Sequence, residues 1–306
     1  MRHPRRDLPL LAGGHAARRR PRRARGHPAQ PDRGRRGAAA RRTAAAAPPP
    51  RRGRLPRGAA RAVSRRGDGN RPAAVRLKKS RRFAPSSQRW LRRQLNDPYV
   101  AAAQREGYRS RAAFKLIELD ERFHLLRPGL AVLDLGAAPG GWTQVAAQRV
   151  GPEGRVVAVD LKEIEAVPGA EAHVLDLHAA DALERVAAWL PDRGGGGRAD
   201  LVLSDMAAAA TGHAATDHLR VMALAETAAE VAFAVLAPGG AFVAKVLKGG
   251  TENALLDRLK RGFARVRHAK PPASRSDSAE SYVVAEGFRG DPEAAAAADA
   301  RDDGLG

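Results

Sequence analysis

One stretch constrains the fold more than any other: residues 132–144, Val-Leu-Asp-Leu-Gly-Ala-Ala-Pro-Gly-Gly-Trp-Thr-Gln. It reads as a buried strand that runs into a glycine-rich turn and then into a helix, the arrangement of a nucleotide site. Gly136, Gly140 and Gly141 let the backbone turn sharply and approach a ligand without a Cβ in the way. Strand-like apolar runs recur at 131–135, 155–160, 171–176, 199–205, 240–247, 265–269 and 281–287. Between them lie helical stretches at 110–124, 142–150, 178–190, 217–236 and 252–262. Short strands alternating with longer helices predict an α/β domain around a mainly parallel sheet. In 110–124, Phe114, Leu116, Ile117 and Leu119 supply the apolar stripe and leave Lys115 and Glu118 off it.

The turn is not a dinucleotide fingerprint, which requires G-x-G-x-x-G. Its second glycine position holds Ala138, and Pro139 removes a backbone N–H that a phosphate-gripping loop would use. A nicotinamide-dependent oxidoreductase is disfavoured on that ground. The segment suits a cofactor without a pyrophosphate, and S-adenosylmethionine is one, with a sulfonium that Asp134 can help to place. Asp160 ends the next strand, where an acid can accept two ribose hydroxyls, and Asp176 ends the one after and can face an adenine edge. Each can also be read as a strand-end aspartate that caps a helix. Trp142 reads either as core or as a wall of the cofactor site.

Charge is distributed unevenly. Residues 1–80 carry 25 Lys and Arg against Asp7, Asp32 and Asp68, while the remainder carries 29 basic and 30 acidic residues, so the +21 formal charge belongs to the N-terminal arm. Rich in Arg, Pro, Gly and Ala and without apolar periodicity, 1–80 is predicted to be disordered. It reads as a basic arm that gathers RNA, as a passive tail, or as the product of an upstream start codon. Residues 81–109 form a basic lead-in, 110–290 the catalytic domain and 291–306 an acidic flexible tail. Across 81–115, nine Lys and Arg are interspersed with Trp90, Tyr99, Tyr108 and Phe114, a mix suited to RNA phosphates and stacked bases or to a solvated amphipathic helix. The sequence has no cysteine, which excludes disulfides and thiolate metal sites. No apolar run is long enough to span a membrane, and the nine histidines form no metal-ligand cluster, so the expectation is a cytoplasmic protein with neither membrane nor metal.

Five spaced blocks carry a resemblance. These are SRAAFKL (110–116), LDLGAAPGGW (133–142), SDMA (204–207), APGGAFVAKV (237–246) and SRSDSAESYVVA (274–285). Together they resemble the FtsJ/RlmE family of S-adenosylmethionine-dependent 2′-O-ribose methyltransferases that act on large-subunit ribosomal RNA. The likeness runs from about residue 89 to Gly287. It implies a Rossmann-like methyltransferase fold with a seven-stranded, mainly parallel sheet and helices on both faces. It also implies a Lys-Asp-Lys-Glu tetrad, here Lys115, Asp205, Lys245 and Glu280. By the same resemblance Gly140, Trp142, Asp160, Asp176 and Asp205, together with Gly136 of the turn, contact S-adenosylmethionine. The implied partner is ribosomal RNA within the large subunit, with the A-loop uridine of 23S RNA as target, and a monomer is expected.

The tetrad makes chemical sense independently. A ribose 2′-hydroxyl is a poor nucleophile, so it must be held in line with the methyl donor while its proton is accepted. Lys245 interrupts an otherwise apolar strand, which makes it either a snorkelling edge residue or a functional buried amine that orients the hydroxyl or takes its proton. Arg109 and Arg111 are candidates for substrate phosphates. After SDMA the family's usual Pro-Asn and Ser-Gly are replaced by AAATGHAATDH, so the target is less firmly implied than the reaction. A transfer RNA methyltransferase and a non-catalytic ribosome-assembly factor remain alternatives.

Overall fold

The computed structural model describes residues 95–192, 196–209, 211–247 and 253–292. The arm 1–80, residues 81–94 of the basic lead-in with Trp90, and the acidic tail after residue 292 lie outside the described residues. Seven strands form one sheet: β1 (Ala131–Leu135), β2 (Arg155–Asp160), β3 (Glu171–Val174), β4 (Ala199–Ser204), β5 (Leu236–Leu247), β6 (Phe263–Ala269) and β7 (Glu280–Phe288). Their order is β3-β2-β1-β4-β5-β7-β6. Only β7 runs antiparallel, inserted between β5 and β6. Strand order reverses between β1 and β4, so the crevice outside their carboxyl ends is where an open α/β sheet takes a ligand.

Helices cover both faces, and the sheet's period of two decides which residues meet which layer. Val132, Val156, Val243 and Tyr282 face α1 (Pro98–Glu106), α2 (Ala112–Phe123) and α3 (Gly141–Val150). Leu133, Leu135, Val157, Phe242 and Val283 face α4 (Ala182–Trp189), α5 (Ala214–Val235) and α6 (Asn253–Gly262). Strands buried on both faces read as continuous apolar runs, which is why β1, β2 and β4 stand out in the sequence.

Several elements differ from expectation. Helix α1 falls inside the basic lead-in: Asp97 caps it through the Tyr99 amide, Pro98 opens it and Gly107, at φ +75°, closes it. Tyr99, Tyr108 and Phe114 are interior rather than available to bases, because they pack together, with centroids 5.5 and 5.7 Å apart, to join α1 and α2. Strand β5 begins at Leu236, not at 240. Leu236 pairs with Ala199, an irregularity follows, and pairing resumes at Ala241 opposite Leu201. Gly239, at φ +80°, supplies the backbone that lets the strand bulge instead of ending. Strand β3 stops at Val174, which leaves Asp176 in the turn beyond it.

Candidate active site

The carboxyl edge collects the charged residues by topology. Asp205 directly follows β4, and Lys245 sits near the end of β5. Because β7 is antiparallel, its first residue, Glu280, arrives at the same edge opposite Leu247. Lys245 pairs in register with Tyr282, so both point to the face covered by α2, from which Lys115 descends. The four residues predicted as a tetrad therefore meet.

Lys115 Nζ lies 2.8 and 2.9 Å from the two oxygens of Glu280 and 4.0 Å from Asp205 Oδ1. Lys245 Nζ reaches Asp205 Oδ1 at 2.8 Å, the Asp205 carbonyl at 2.8 Å and the Met206 carbonyl at 3.4 Å. An ammonium has three donors, and these three acceptors use them all. Lys245 is only 8% exposed, so it is not a snorkelling edge residue. Burial pushes the Asp205 carboxyl up, but the ammoniums of Lys245 and Lys115 and the hydrogen bonds from Lys245 and Tyr282 outweigh it and hold the group below the ordinary carboxylate range.

Two further residues belong to this cluster. The Tyr282 hydroxyl donates to Asp205 Oδ1 at 2.7 Å, and its pKa is pushed well up by burial and then by Asp205 and Glu280. Ser274 Oγ donates to Glu280 Oε1 at 2.7 Å. Tyr282 was legible in the sequence, since it stands two residues after Glu280 in a strand and so shares its face. Ser274 was not, because only the fold of the loop after β6 brings it back.

Beside the cluster is a cavity of about 300 Å³ lined in part by Gly136, Asp160, Asp176, Asp205, Met206 and Leu161. A side chain at Gly136, at φ +71°, would run 2.3 Å from Met206 Cγ, so the cavity's floor needs glycine. Asp160 spends both oxygens on backbone amides, Oδ2 on Ala138 at 2.9 Å and Oδ1 on Lys162 at 2.8 Å. It ties the turn to the loop after β2, and the second lone pair of each oxygen remains open to a ligand hydroxyl. Asp176 accepts the His178 amide. The buried Asp134 accepts Thr143 Oγ1 at 2.7 Å, while its other oxygen, buried, has no partner among the described residues. Burial pushes the Asp134 carboxyl up to about 7 against the Thr143 bond, with Asp205 and Asp160 adding to the rise.

Two predicted cofactor contacts do not line this cavity. Gly140 and Trp142 are not among the lining residues; Trp142 is buried, donates to the Ala112 carbonyl at 2.8 Å and packs on Tyr282. The predicted phosphate contacts are also engaged by the protein. Arg111 bonds Asp97 and the Ala273 carbonyl, and Arg109 bonds three backbone carbonyls. A second cavity, of about 440 Å³, opens beside Lys115 and Glu280 and is lined by Arg111, Arg275, Asp277 and Ser278 as well. Among the described residues no cluster of His, Cys, Asp and Glu could hold a metal ion, and no helix is long and apolar enough to cross a membrane.

A doubly wound sheet with an acid-lined cavity at its switch point, and no glycine-rich pyrophosphate grip, defines the Rossmann-like methyltransferase class. A model of FtsJ-like methyltransferases matches residues 108–288, and the chain belongs to that family. It is 60% identical over 233 residues to ribosomal RNA large subunit methyltransferase E of Xanthobacter autotrophicus, covering 75% of this chain and 90% of that protein. The protein of the same name from Azorhizobium caulinodans is 59% identical over 223 residues, covering 72% and 91%. Among solved structures, one named as a ribosomal RNA methyltransferase of Plasmodium falciparum superposes with a TM-score of 0.53 at 28% identity, covering 60% of this chain and all of that one.

Proposed function

We propose that this protein transfers a methyl group from S-adenosylmethionine to a ribose 2′-hydroxyl of large-subunit ribosomal RNA, with the A-loop uridine as target. The observation that carries the reading is the convergence of Lys115, Asp205, Lys245 and Glu280 beside a cavity whose lining includes the carboxylates of Asp160, Asp176 and Asp205. When bound, S-adenosylmethionine supplies an electrophilic methyl carried on a positive sulfonium. Asp160 and Asp176 would hold its hydroxyl and amino donors, and Gly136 leaves it room.

Lys245 orients the ribose oxygen. Its bond to the Met206 carbonyl, at 3.4 Å, is the weakest of its three and the one a substrate hydroxyl can replace. Asp205 holds Lys245, and Glu280 holds Lys115, so two cations stay fixed where negative charge develops on the oxygen as its proton passes to solvent. The second cavity, on the far side of Lys115 with Arg111 and Arg275 on its wall, gives the RNA strand an approach to that point.

The test is a transfer assay with labelled S-adenosylmethionine on large ribosomal subunits from cells with and without this gene, followed by mapping of the modified nucleotide. Label should enter only the unmodified subunits, at one 2′-hydroxyl of 23S RNA. Label confined to transfer RNA, or none in any RNA, refutes the assignment.

A further inference from the structure

Arg109 stands three residues before α2, in the segment that the basic charge pattern assigns to RNA. The structure points it the other way. Its Nη1 donates to the Pro139 carbonyl at 3.1 Å and to the Glu165 carbonyl at 2.7 Å, and its Nη2 donates to the Ala166 carbonyl at 2.8 Å. The side chain is 19% exposed. Pro139 belongs to the turn after β1, and residues 165 and 166 to the irregular loop after β2. These two loops contribute Ala138, Leu161 and Lys162 to the cofactor cavity.

Two more observations belong to the same arrangement. A side chain at Gly140 would come within 2.7 Å of Arg109 Nη1, so the glycine is what admits the guanidinium to the turn. In return, Gln144 of α3 holds the segment that carries Arg109: its Oε1 accepts the Arg109 amide at 2.8 Å and its Nε2 donates to the Gly107 carbonyl at 3.0 Å. The planar fork of arginine can hold two separate chain segments at once in a way that a point ammonium cannot. Asp160 ties the same two loops together from the strand side through Ala138 and Lys162.

We infer that Arg109 is a positioning residue for the cofactor site: it clamps the 137–141 turn to the 164–166 loop, and it does not contact substrate phosphate. The inference rests on the reading of this cavity as the S-adenosylmethionine site. It also couples the two ligands, since the segment that leads into the RNA side is the one that sets the cofactor loops.

The experiment compares full-length wild type, Arg109→Ala and Arg109→Lys. Calorimetry with S-adenosylmethionine and no RNA should show the dissociation constant rising about tenfold in Arg109→Ala, equivalent to about 1.4 kcal/mol, and partly recovered in Arg109→Lys. In steady state the KM for S-adenosylmethionine should rise with kcat at saturation nearly unchanged, a split that general destabilisation would not give. Hydrogen exchange without any ligand should quicken at 140–142 and 164–167 and stay unchanged in β4 and β5. If instead both variants bind S-adenosylmethionine as wild type does while the salt slope of RNA binding falls by about one, Arg109 is a phosphate contact and the inference fails alone. If wild type binds no S-adenosylmethionine, the functional reading fails and takes the inference with it.

Discussion

Replacing Lys245 with methionine keeps a long unbranched side chain and removes the charge. The consequences separate into two magnitudes. For stability, Asp205 loses the cation 2.8 Å from its Oδ1. Removing one partner of a buried pair costs about 3–5 kcal/mol, but the Tyr282 hydroxyl at 2.7 Å and Lys115 at 4.0 Å remain. We therefore expect a loss of about 2–3 kcal/mol, or roughly 5–10 °C in Tm for a domain of this size. The pH dependence changes as well. A carboxyl held low in the fold stabilises it above the unfolded pKa, and that contribution disappears as pH falls through the folded value. Without Lys245 the folded value rises, so acid unfolding of the variant moves to higher pH. For catalysis, losing the cation that orients the hydroxyl and stabilises the charge developing on its oxygen should slow transfer by about 100-fold to 1,000-fold, or roughly 3–4 kcal/mol of barrier. Lys245→Arg separates the two effects: it restores a cation and much of the Tm, but a planar guanidinium does not reproduce three acceptors around one nitrogen, so transfer stays at least about 100-fold down. Single-turnover transfer of labelled methyl to ribosomal subunits, with thermal melts in parallel, reads both. Transfer within a few-fold of wild type in Lys245→Met would refute the orienting role outright.

Two other substitutions test β1 and the turn that follows it. Asp134 titrates at about 7 in the fold against 3.8 ordinarily, so the fold prefers its protonated form. Its contribution is present below about pH 4 and is lost as pH rises towards 7, by at most about 4 kcal/mol. The stability of wild type relative to Asp134→Asn should accordingly fall between pH 4 and 8 in denaturant titrations, and a constant difference would refute this. Gly136→Ala places a Cβ 2.3 Å from Met206 Cγ at a backbone angle unfavourable to any side chain. It should cost about 1–3 kcal/mol and weaken S-adenosylmethionine binding at least tenfold, whereas unchanged binding by calorimetry would show that the cavity lies elsewhere.

The glycine-rich turn, the alternation of elements and the buried Lys245 could be read from the amino-acid order, whereas Lys115, Asp205 and Glu280 came from the resemblance to the FtsJ family. Each of the first three leaves a local mark: a glycine where φ must be positive, an apolar run where a strand is buried on both faces, a lysine interrupting such a run. The strand-end aspartates were legible too, although not that Asp160 serves two backbone amides. Side-chain direction was the harder part. Tyr99, Tyr108 and Phe114 in a basic stretch suggested stacked bases, but α1 packs against α2 and turns them inward. Arg109 and Arg111 suggested phosphate, yet both bond partners in the chain itself. Charge and residue type follow from composition; the partner a guanidinium finds depends on which carbonyls the folded chain leaves within its reach.

The same division holds for the site as a whole. The sequence by itself determined the fold class, the glycine-rich turn and the residue types available for chemistry, because these depend on local backbone preference and periodicity. Only the tertiary structure decided that β7 runs against its neighbours and so delivers Glu280 and Tyr282 to the carboxyl edge, facing Lys245 and Asp205. Contacts between residues 40 to 165 positions apart are set by strand order and direction, which no local stretch of sequence encodes.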